Sequence, residues 1–221
     1  MRHWLVPAIF LAAASAAGAH AWHTIVGAAN HPDITHVLLA LYALLKTSVG
    51  FAFAACTIGR AEPHSRARNP LTYIACAVAM GAVFAIAGPA QGTAPSLLAV
   101  GDAVAVCGCV WLLVSVLALG RCFGVLPEAR GLVRRGPYRF VRHPVYVGEI
   151  AAFVGLTLAA PLPRNVVLLA VMVAAQMIRA RFEERALSAA FPEYASYMET
   201  TGRLVPTRRR RIVAAAAAAS D

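Results

Sequence analysis

The stretch of sequence that decides the fold is LLAVGDAVAVCGCVWLLVSVLAL, residues 97–119. It carries one charged side chain, Asp102, and it exceeds the roughly 20 apolar residues that a helix needs to cross a bilayer. A chain in hydrocarbon must satisfy its backbone hydrogen bonds internally, as an α-helix does. Residues 97–119 are therefore predicted to form a transmembrane helix.

Five further apolar stretches repeat this pattern. The predicted spans are 4–20, 34–58, 71–88, 145–160 and 164–181. Hydrophobic residues make up 60% of the 221 residues and charged residues 14%, a composition typical of an integral membrane protein. The sequence predicts an all-α fold: a polytopic transmembrane helical bundle of about six spans, with a C-terminal helical hairpin and a cytoplasmic helix.

The first predicted span also has features of a secretory signal. Arg2 precedes it, and the small-residue sequence ASAAGAHAW at its end is similar to a cleavage region. We expect the span to be retained, because five remaining spans would place the two ends of the chain on opposite sides of the membrane.

Basic residues are concentrated in alternate loops. Residues 58–70, 121–142 and those after 178 carry most of the arginines, so that 18 of the 20 basic residues, Arg2 included, lie on one side. The positive-inside rule then predicts cytoplasmic termini in a bacterial-type inner or plasma membrane. It also explains the net charge of +10 without a nucleic-acid partner.

Lys46 leaves open a function outside the enzymes, although a structural role for it is favoured. A lysine near the middle of the second span is unusual, and it could pair with Asp102, extend towards the membrane surface or serve a small membrane transporter. The inverted repeats typical of transporters are not evident in the sequence. A catalytically inactive scaffold is a third alternative. The five cysteines form no CxxC pair, and we expect buried thiols and no metal site.

Two polar segments lie at the ends of the last two spans. RGPYRFVRHPVYVGE, residues 135–149, leads into the fifth span, and MIRARFEERAL, residues 177–187, ends the sixth. Pro161 and Pro163 in the short linker end one helix before the next begins, which predicts a tight hairpin. Both polar segments should then meet at the cytoplasmic face.

Acidic side chains in these segments indicate a cavity. Glu149, one turn inside a span, is costly unless it is paired or hydrated, so it should face the interior. Arg179 with Glu183, and Arg181 with Glu184, have spacings that allow ion pairs along one helix. The adjacent glutamates point about 100° apart, however, and cannot both serve one row of arginines. They are suited to the hydroxyl or ammonium groups of a ligand.

The combined segments predict a ligand with several different polar groups. A helix N-terminus and arginines suit a carboxylate, an imidazole and phenols supply hydrogen bonds, and paired glutamates suit a diol or an amine. S-adenosylmethionine carries all of the groups that these side chains would bind.

The same segments, followed by FEERALSAAFPEYASY and RLVP, resemble the isoprenylcysteine carboxyl methyltransferase family over about residues 110–206. More distant relatives are membrane phospholipid N-methyltransferases and small-thiol S-methyltransferases. The resemblance implies that S-adenosylmethionine is the cofactor. The matching positions are Tyr138, Arg142, His143, Pro144, Tyr146, Gly148, Glu183 and Glu184.

Arg203 and Glu149 are the predicted catalytic residues. Arg203 would position the acceptor or support the structure, and His143 or a glutamate would serve an acceptor that must lose a proton. Relatives often carry basic residues where this chain has Met198-Glu199-Thr200, which leaves the acceptor open.

The resemblance implies a membrane methyltransferase whose lipophilic acceptor enters from the bilayer at the cytoplasmic face. A phospholipid amine or a small thiol is the alternative acceptor. The predicted divisions are N-terminal transmembrane helices over 1–120, a catalytic region over 121–206, and a basic, alanine-rich tail over 207–221.

Overall fold

A computed structural model describes residues 5–30, 33–58, 60–66, 69–88, 92–124, 126 and 128–207. The predicted tail lies outside these residues from 208 onwards, as do Arg2 and Arg68.

Seven α-helices form most of the described structure. They are α1 Leu5–Asn30, α2 Ile34–Ile58, α3 Pro70–Ala85, α4 Pro95–Leu119, α5 Pro144–Ala159, α6 Pro163–Ala190 and α7 Tyr194–Thr200. Short 3-10 helices follow α4 at Gly120–Cys122 and precede α5 at Gly136–Arg139. The strands β1 Ser65–Arg66 and β2 Glu128–Ala129 have two residues each and pair antiparallel. The predicted all-α class is confirmed.

Helices α1, α2, α4 and α6 are long and apolar enough to cross a membrane. Helices α3 and α5 are also apolar but have 16 residues each. The chain is therefore an integral membrane protein with a helical bundle.

Two helices run further than their predicted spans. Helix α1 continues to Asn30, because residues 21–30 are less apolar than the predicted span but contain no proline to end the helix. Helix α6 continues to Ala190, so the charged segment 177–187 belongs to the same helix as the apolar part.

Helices α4 and α5 pack closely through small residues. A Cβ added at Gly148 would lie 2.7 Å from the backbone nitrogen of Leu112, and one added at Gly108 would overlap the backbone of Ala152. Small residues at these positions let the two backbones approach, as is common between membrane helices. Helix α5 therefore packs mainly on α4, whereas α6 packs mainly on α3. The two arms of the hairpin make few contacts with each other, and a space opens between them.

The hairpin turn is fixed by one buried amide. Asn165 has no exposed surface and donates hydrogen bonds to Ala87 O at 3.0 Å and to Ala160 O at 2.9 Å. Its side-chain oxygen accepts a hydrogen bond from Ala87 N at 3.0 Å. The turn is thereby joined to the segment that follows α3.

The loops rich in arginine meet at the other end of the bundle. Ala61 N donates to Arg121 O at 2.9 Å, beside the pairing of β1 with β2. The buried Arg130 side chain donates to Ala61 O and to the Glu128 carboxylate. These loops lie at the same end as the N-terminal half of α5 and the C-terminal half of α6.

Lys46 and Asp102 have different environments, and they do not form the ion pair that the sequence allowed. Lys46 is exposed on the outer surface of α2, whereas Asp102 is buried on α4. Within the described residues no ion pair joins them. All five cysteines are free thiols. Cys76 and Cys109 are buried as predicted, whereas Cys56 and Cys122 are half-buried and Cys107 is exposed.

Candidate functional site

A cavity of about 250 Å³ lies between α5 and α6, at the end of the bundle that carries the arginine loops. We call it the α5–α6 cavity. It is several times larger than the space of one water molecule, about 30 Å³. Its polar residues are Tyr138, Arg142, His143, Tyr146, Glu149, Gln176, Arg179 and Glu183. Apolar side chains of α1, α2 and α3 form the facing wall.

The backbone around residues 136–143 is shaped by a tight turn and held by the C-terminal segment. Gly136 has a φ of 58°, which favours glycine, and it starts the 3-10 helix before α5. Arg142 N donates to Gly202 O at 2.8 Å, and His143 N donates to Arg203 O at 3.1 Å. The Tyr197 hydroxyl donates to Tyr138 O. Residues 201–203 therefore position the segment that leads into α5.

Glu184 is the centre of a cluster of cations. Arg142 Nε donates to Glu184 Oε1 at 2.9 Å, and Arg203 Nε lies 3.0 Å from the same oxygen. His143 Nε2 lies 3.2 Å from Glu184 Oε1. The Arg142 guanidinium also donates to Met198 O at 3.1 Å. The carboxylate thus joins α6, the start of α5 and the segment after α7.

Glu183, the preceding residue of α6, shares His143 with Glu184 but otherwise has different partners, and it faces the α5–α6 cavity. The Tyr146 hydroxyl donates to Glu183 Oε2 at 2.8 Å, and His143 Nδ1 lies 3.6 Å from the same oxygen. The rings of His143 and Tyr146 are parallel, with centroids 5.3 Å apart. His143 therefore lies between the two glutamates.

Glu149 is held deeper in the cavity by α6. The Gln176 amide donates to Glu149 Oε2, and Arg179 Nη1 lies 3.9 Å from that oxygen. Arg179 also donates to Gln176 Oε1 at 2.8 Å, and its guanidinium lies over the Tyr146 ring at 4.8 Å. The predicted inward orientation of Glu149 agrees with this arrangement.

Burial and charge set the protonation of the side chains at the cavity entrance. Burial lowers the pKa of His143, but its hydrogen bonds with Glu183 and Glu184 outweigh that effect and leave the pKa above its ordinary value. His143 is therefore biased towards the imidazolium form. Burial also raises the pKa of Tyr138 well above its ordinary value, so its phenol stays a neutral donor. The hydrogen bond with Glu184 raises the pKa of Arg203.

The predicted site residues fall into two groups. Six line the α5–α6 cavity: Tyr138, Arg142, His143, Tyr146, Glu149 and Glu183. The other four lie outside its lining. Glu184 and Arg203 line a shallow depression on the outer side of α6. Gly148 faces Leu112 of α4, and Pro144 is buried with its carbonyl accepting from Trp111 Nε1 at 3.0 Å.

Several cavity residues lay outside the sequence prediction. Gln176 and Met172 line the cavity from α6, and Phe10 lines it from α1. Gln176 could have been found as an amide inside an apolar span, since polar groups there usually face the interior. Met172 and Phe10 carried no such signal, because apolar residues within a span are ordinary.

Part of the chain is similar to a known protein family. Residues 93–194 match the phospholipid methyltransferase family, and no curated protein matches the chain. The matched region includes α4, α5, α6 and the start of α7. The predicted resemblance to membrane methyltransferases is thereby confirmed. Arg203 lies beyond the matched residues.

Proposed function

We propose that this protein transfers a methyl group from S-adenosylmethionine to a lipophilic acceptor, as an integral-membrane methyltransferase. The observation that carries the proposal is that Arg142, His143, Tyr146 and Glu183 line one cavity beside an apolar wall. The phospholipid methyltransferase family match over this region supports the reaction class.

The side chains of the α5–α6 cavity suit the chemical groups of the donor. Arg142 or Arg179 would bind the carboxylate of its methionine portion, since guanidinium groups bind carboxylates well. Glu183 would bind the ammonium group or the ribose diol. The ring of Tyr146 would pack against an apolar or aromatic part of the donor. Opposite charges and aromatic surface are thus present in one enclosed space, which fits S-adenosylmethionine.

Two of the predicted cofactor residues would act by supporting the others. Glu184 would hold Arg142 and His143 in place through the hydrogen bonds described above. Gly148 would let α5 lie against α4, so that the start of α5 reaches the cavity. Arg203 would then be a positioning residue that acts through Glu184.

When bound, the donor would supply an electrophilic methyl group on a sulfonium. The acceptor's lone pair forms the new bond to this carbon as the carbon–sulfur bond breaks and its electron pair stays on sulfur. The protein's part is to align the two partners and exclude water. A carboxylate acceptor requires no base, and Arg179 lies inside the cavity where it would orient such a group.

An acceptor that must lose a proton needs a different residue. The raised pKa of His143 makes its imidazole a poor proton acceptor. Glu149, which lines the deeper cavity, is the better candidate. The prediction that a glutamate serves amine or thiol acceptors therefore attaches to Glu149.

One candidate acceptor is an isoprenylcysteine carboxylate, whose tail would lie along the apolar wall of α1 and α3. Ile9, Phe10, Ala79, Met80 and Val83 belong to that wall. The second candidate is the amine of a phospholipid, and the family match favours it. Both would enter from the bilayer.

The test is donor binding followed by a methyl-transfer panel. Purified protein should bind S-adenosylhomocysteine in calorimetry, with binding lost in Glu183→Gln and kept in the control Arg164→Gln, which lies at the opposite end of the bundle. Labelled donor should then be offered with prenylated cysteine analogues, ethanolamine lipids and small thiols. Donor binding that is equal in Glu183→Gln and wild type would reject the cavity as the donor site.

A further inference from the structure

A second cavity, of about 380 Å³, lies at the opposite end of the bundle from the α5–α6 cavity. We call it the Asp102 cavity. Its walls come from the start of α2, the first two turns of α4, the end of α5 and the segment after α3. The lining is mostly apolar, with Leu39, Leu98 and Leu156 among its residues. Its side-chain polar groups are Thr35, His36 and Asp102.

Asp102 is the unusual member of this lining. Its exposure is 8%, so it is more than nine-tenths buried, and it faces the cavity. Within the part of the chain that the structure describes, its carboxylate opens onto the cavity and has neither a hydrogen bond nor an ion pair. A carboxylate in apolar surroundings is costly to ionise unless it is paired or hydrated, so an oppositely charged ligand would stabilise it. An intramembrane acid in this state indicates a binding role.

The walls of the Asp102 cavity are fixed rather than loosely placed. Asn165 holds Ala87 and Ala160 with three hydrogen bonds of 2.9–3.0 Å. Asp33 accepts from His36 N at 2.9 Å and lies 2.6 Å from His36 Nδ1, so it fixes the start of α2. The cavity is thus built by contacts that do not involve Asp102.

We propose that the Asp102 cavity binds a lipophilic ammonium ion, with its charge at Asp102 and its apolar part against the leucines. A single carboxylate with apolar surroundings suits one organic cation. A metal ion would need several ligands, and no cluster of three such side chains occurs among the described residues. The ammonium could belong to a free amine or to a lipid headgroup. This proposal does not depend on the methyl-transfer reaction.

The test uses octylammonium as the probe and octanol as its neutral match. The protein is kept in a non-ionic detergent, and binding is followed by calorimetry. We expect octylammonium to bind wild type at least ten times more tightly than Asp102→Asn. Octanol should bind both proteins equally and weakly. Equal octylammonium binding in the two proteins, or octanol binding as tight as octylammonium, would overturn the proposal.

Two additions complete the design. Leu39→Trp keeps the carboxylate but fills the cavity, so it should also lose octylammonium; it serves if Asp102→Asn does not fold. Lysophosphatidylethanolamine that competes with octylammonium would identify a lipid headgroup as the source, and absence of competition would identify a free amine. Octylammonium binding that survives in Leu39→Trp would place the probe elsewhere and reject the cavity.

Discussion

Glu183 and Glu184 are neighbours in α6 and both contact His143, but their other partners differ. Glu184 accepts from Arg142 and Arg203, whereas Glu183 accepts from Tyr146 and lines the α5–α6 cavity. The turn of about 100° between successive helical residues produces this division. One glutamate is therefore suited to a structural role and the other to a ligand.

The division predicts opposite phenotypes for the two amide variants. Glu184→Gln should destabilise the protein by about 3 kcal/mol, because it leaves buried cations without their counter-charge. Glu183→Gln should destabilise the protein less than Glu184→Gln does, since it has fewer cationic partners, and should lose S-adenosylhomocysteine binding. Thermal unfolding and calorimetry of both variants measure this. Equal loss of stability in the two would contradict the assignment.

The close packing of α4 on α5 predicts a large effect from one methyl group. Gly108→Ala should cost about 1–3 kcal/mol, since the new Cβ overlaps the backbone of Ala152. Gly81→Ala is the matched control, because a Cβ there meets nothing within 4 Å. It should be neutral or stabilise α3 by roughly 0.5–1 kcal/mol. Thermal unfolding of both variants in detergent provides the comparison, and similar effects in the two would argue against the tight interface.

His143 predicts a dependence of stability on pH. Its pKa is raised in the folded protein, so its contribution is full below the unfolded pKa of about 6.5 and is lost as the pH rises through the folded pKa. Wild type should therefore lose stability relative to His143→Gln as the pH increases from 6. Unfolding temperatures of both proteins from pH 6 to 9 measure the difference. Parallel pH curves would show that the imidazole is not charged in the folded state.

The buried contacts of Arg130 predict that its substitution lowers the stability of the arginine-rich end of the bundle. Arg130→Gln should destabilise by about 1–3 kcal/mol, because Ala61 O and Glu128 lose a buried donor. Arg135→Gln is the control, since Arg135 is exposed and its loss should change stability by less than about 0.5 kcal/mol. Unfolding measurements at matched salt concentrations separate the two. Similar changes in stability for the two variants would mean that the contacts of Arg130 with Ala61 and Glu128 contribute no more than an exposed charge does.

Much of the fold could be predicted because hydropathy and proline placement are local signals. Helix α2 has the predicted bounds, 34–58, and α5 differs by one residue at each end. The ends of α1 and α6 were missed, because a helix can continue through polar residues once hydropathy falls. A proline follows the end of each of these helices, at Pro32 and Pro192, so helix-breaking residues rather than polar ones mark where they end.

The candidate site was predictable in its residues but not in its pairings. The spacing of Arg181 and Glu184 allowed an ion pair along α6, yet Glu184 instead pairs with Arg142 and Arg203. Those partners come from distant parts of the chain, and only the packed bundle brings them together. The wall contributed by α1 and α3 was missed for the same reason, since apolar side chains do not indicate which cavity they line.

The hydrogen bonds from Arg142 and His143 to residues 202 and 203 have a consequence for synthesis. The ribosome makes the segment before α5 about 60 residues earlier than the backbone carbonyls that hold it. Until Gly202 and Arg203 emerge, the nascent chain can insert its spans but lacks the hydrogen bonds that position Arg142 and His143. Under the proposed function, the ability to bind the donor should therefore arise in a single late step of synthesis. A chain stalled just before Gly202 should be embedded in the membrane but unable to retain the donor.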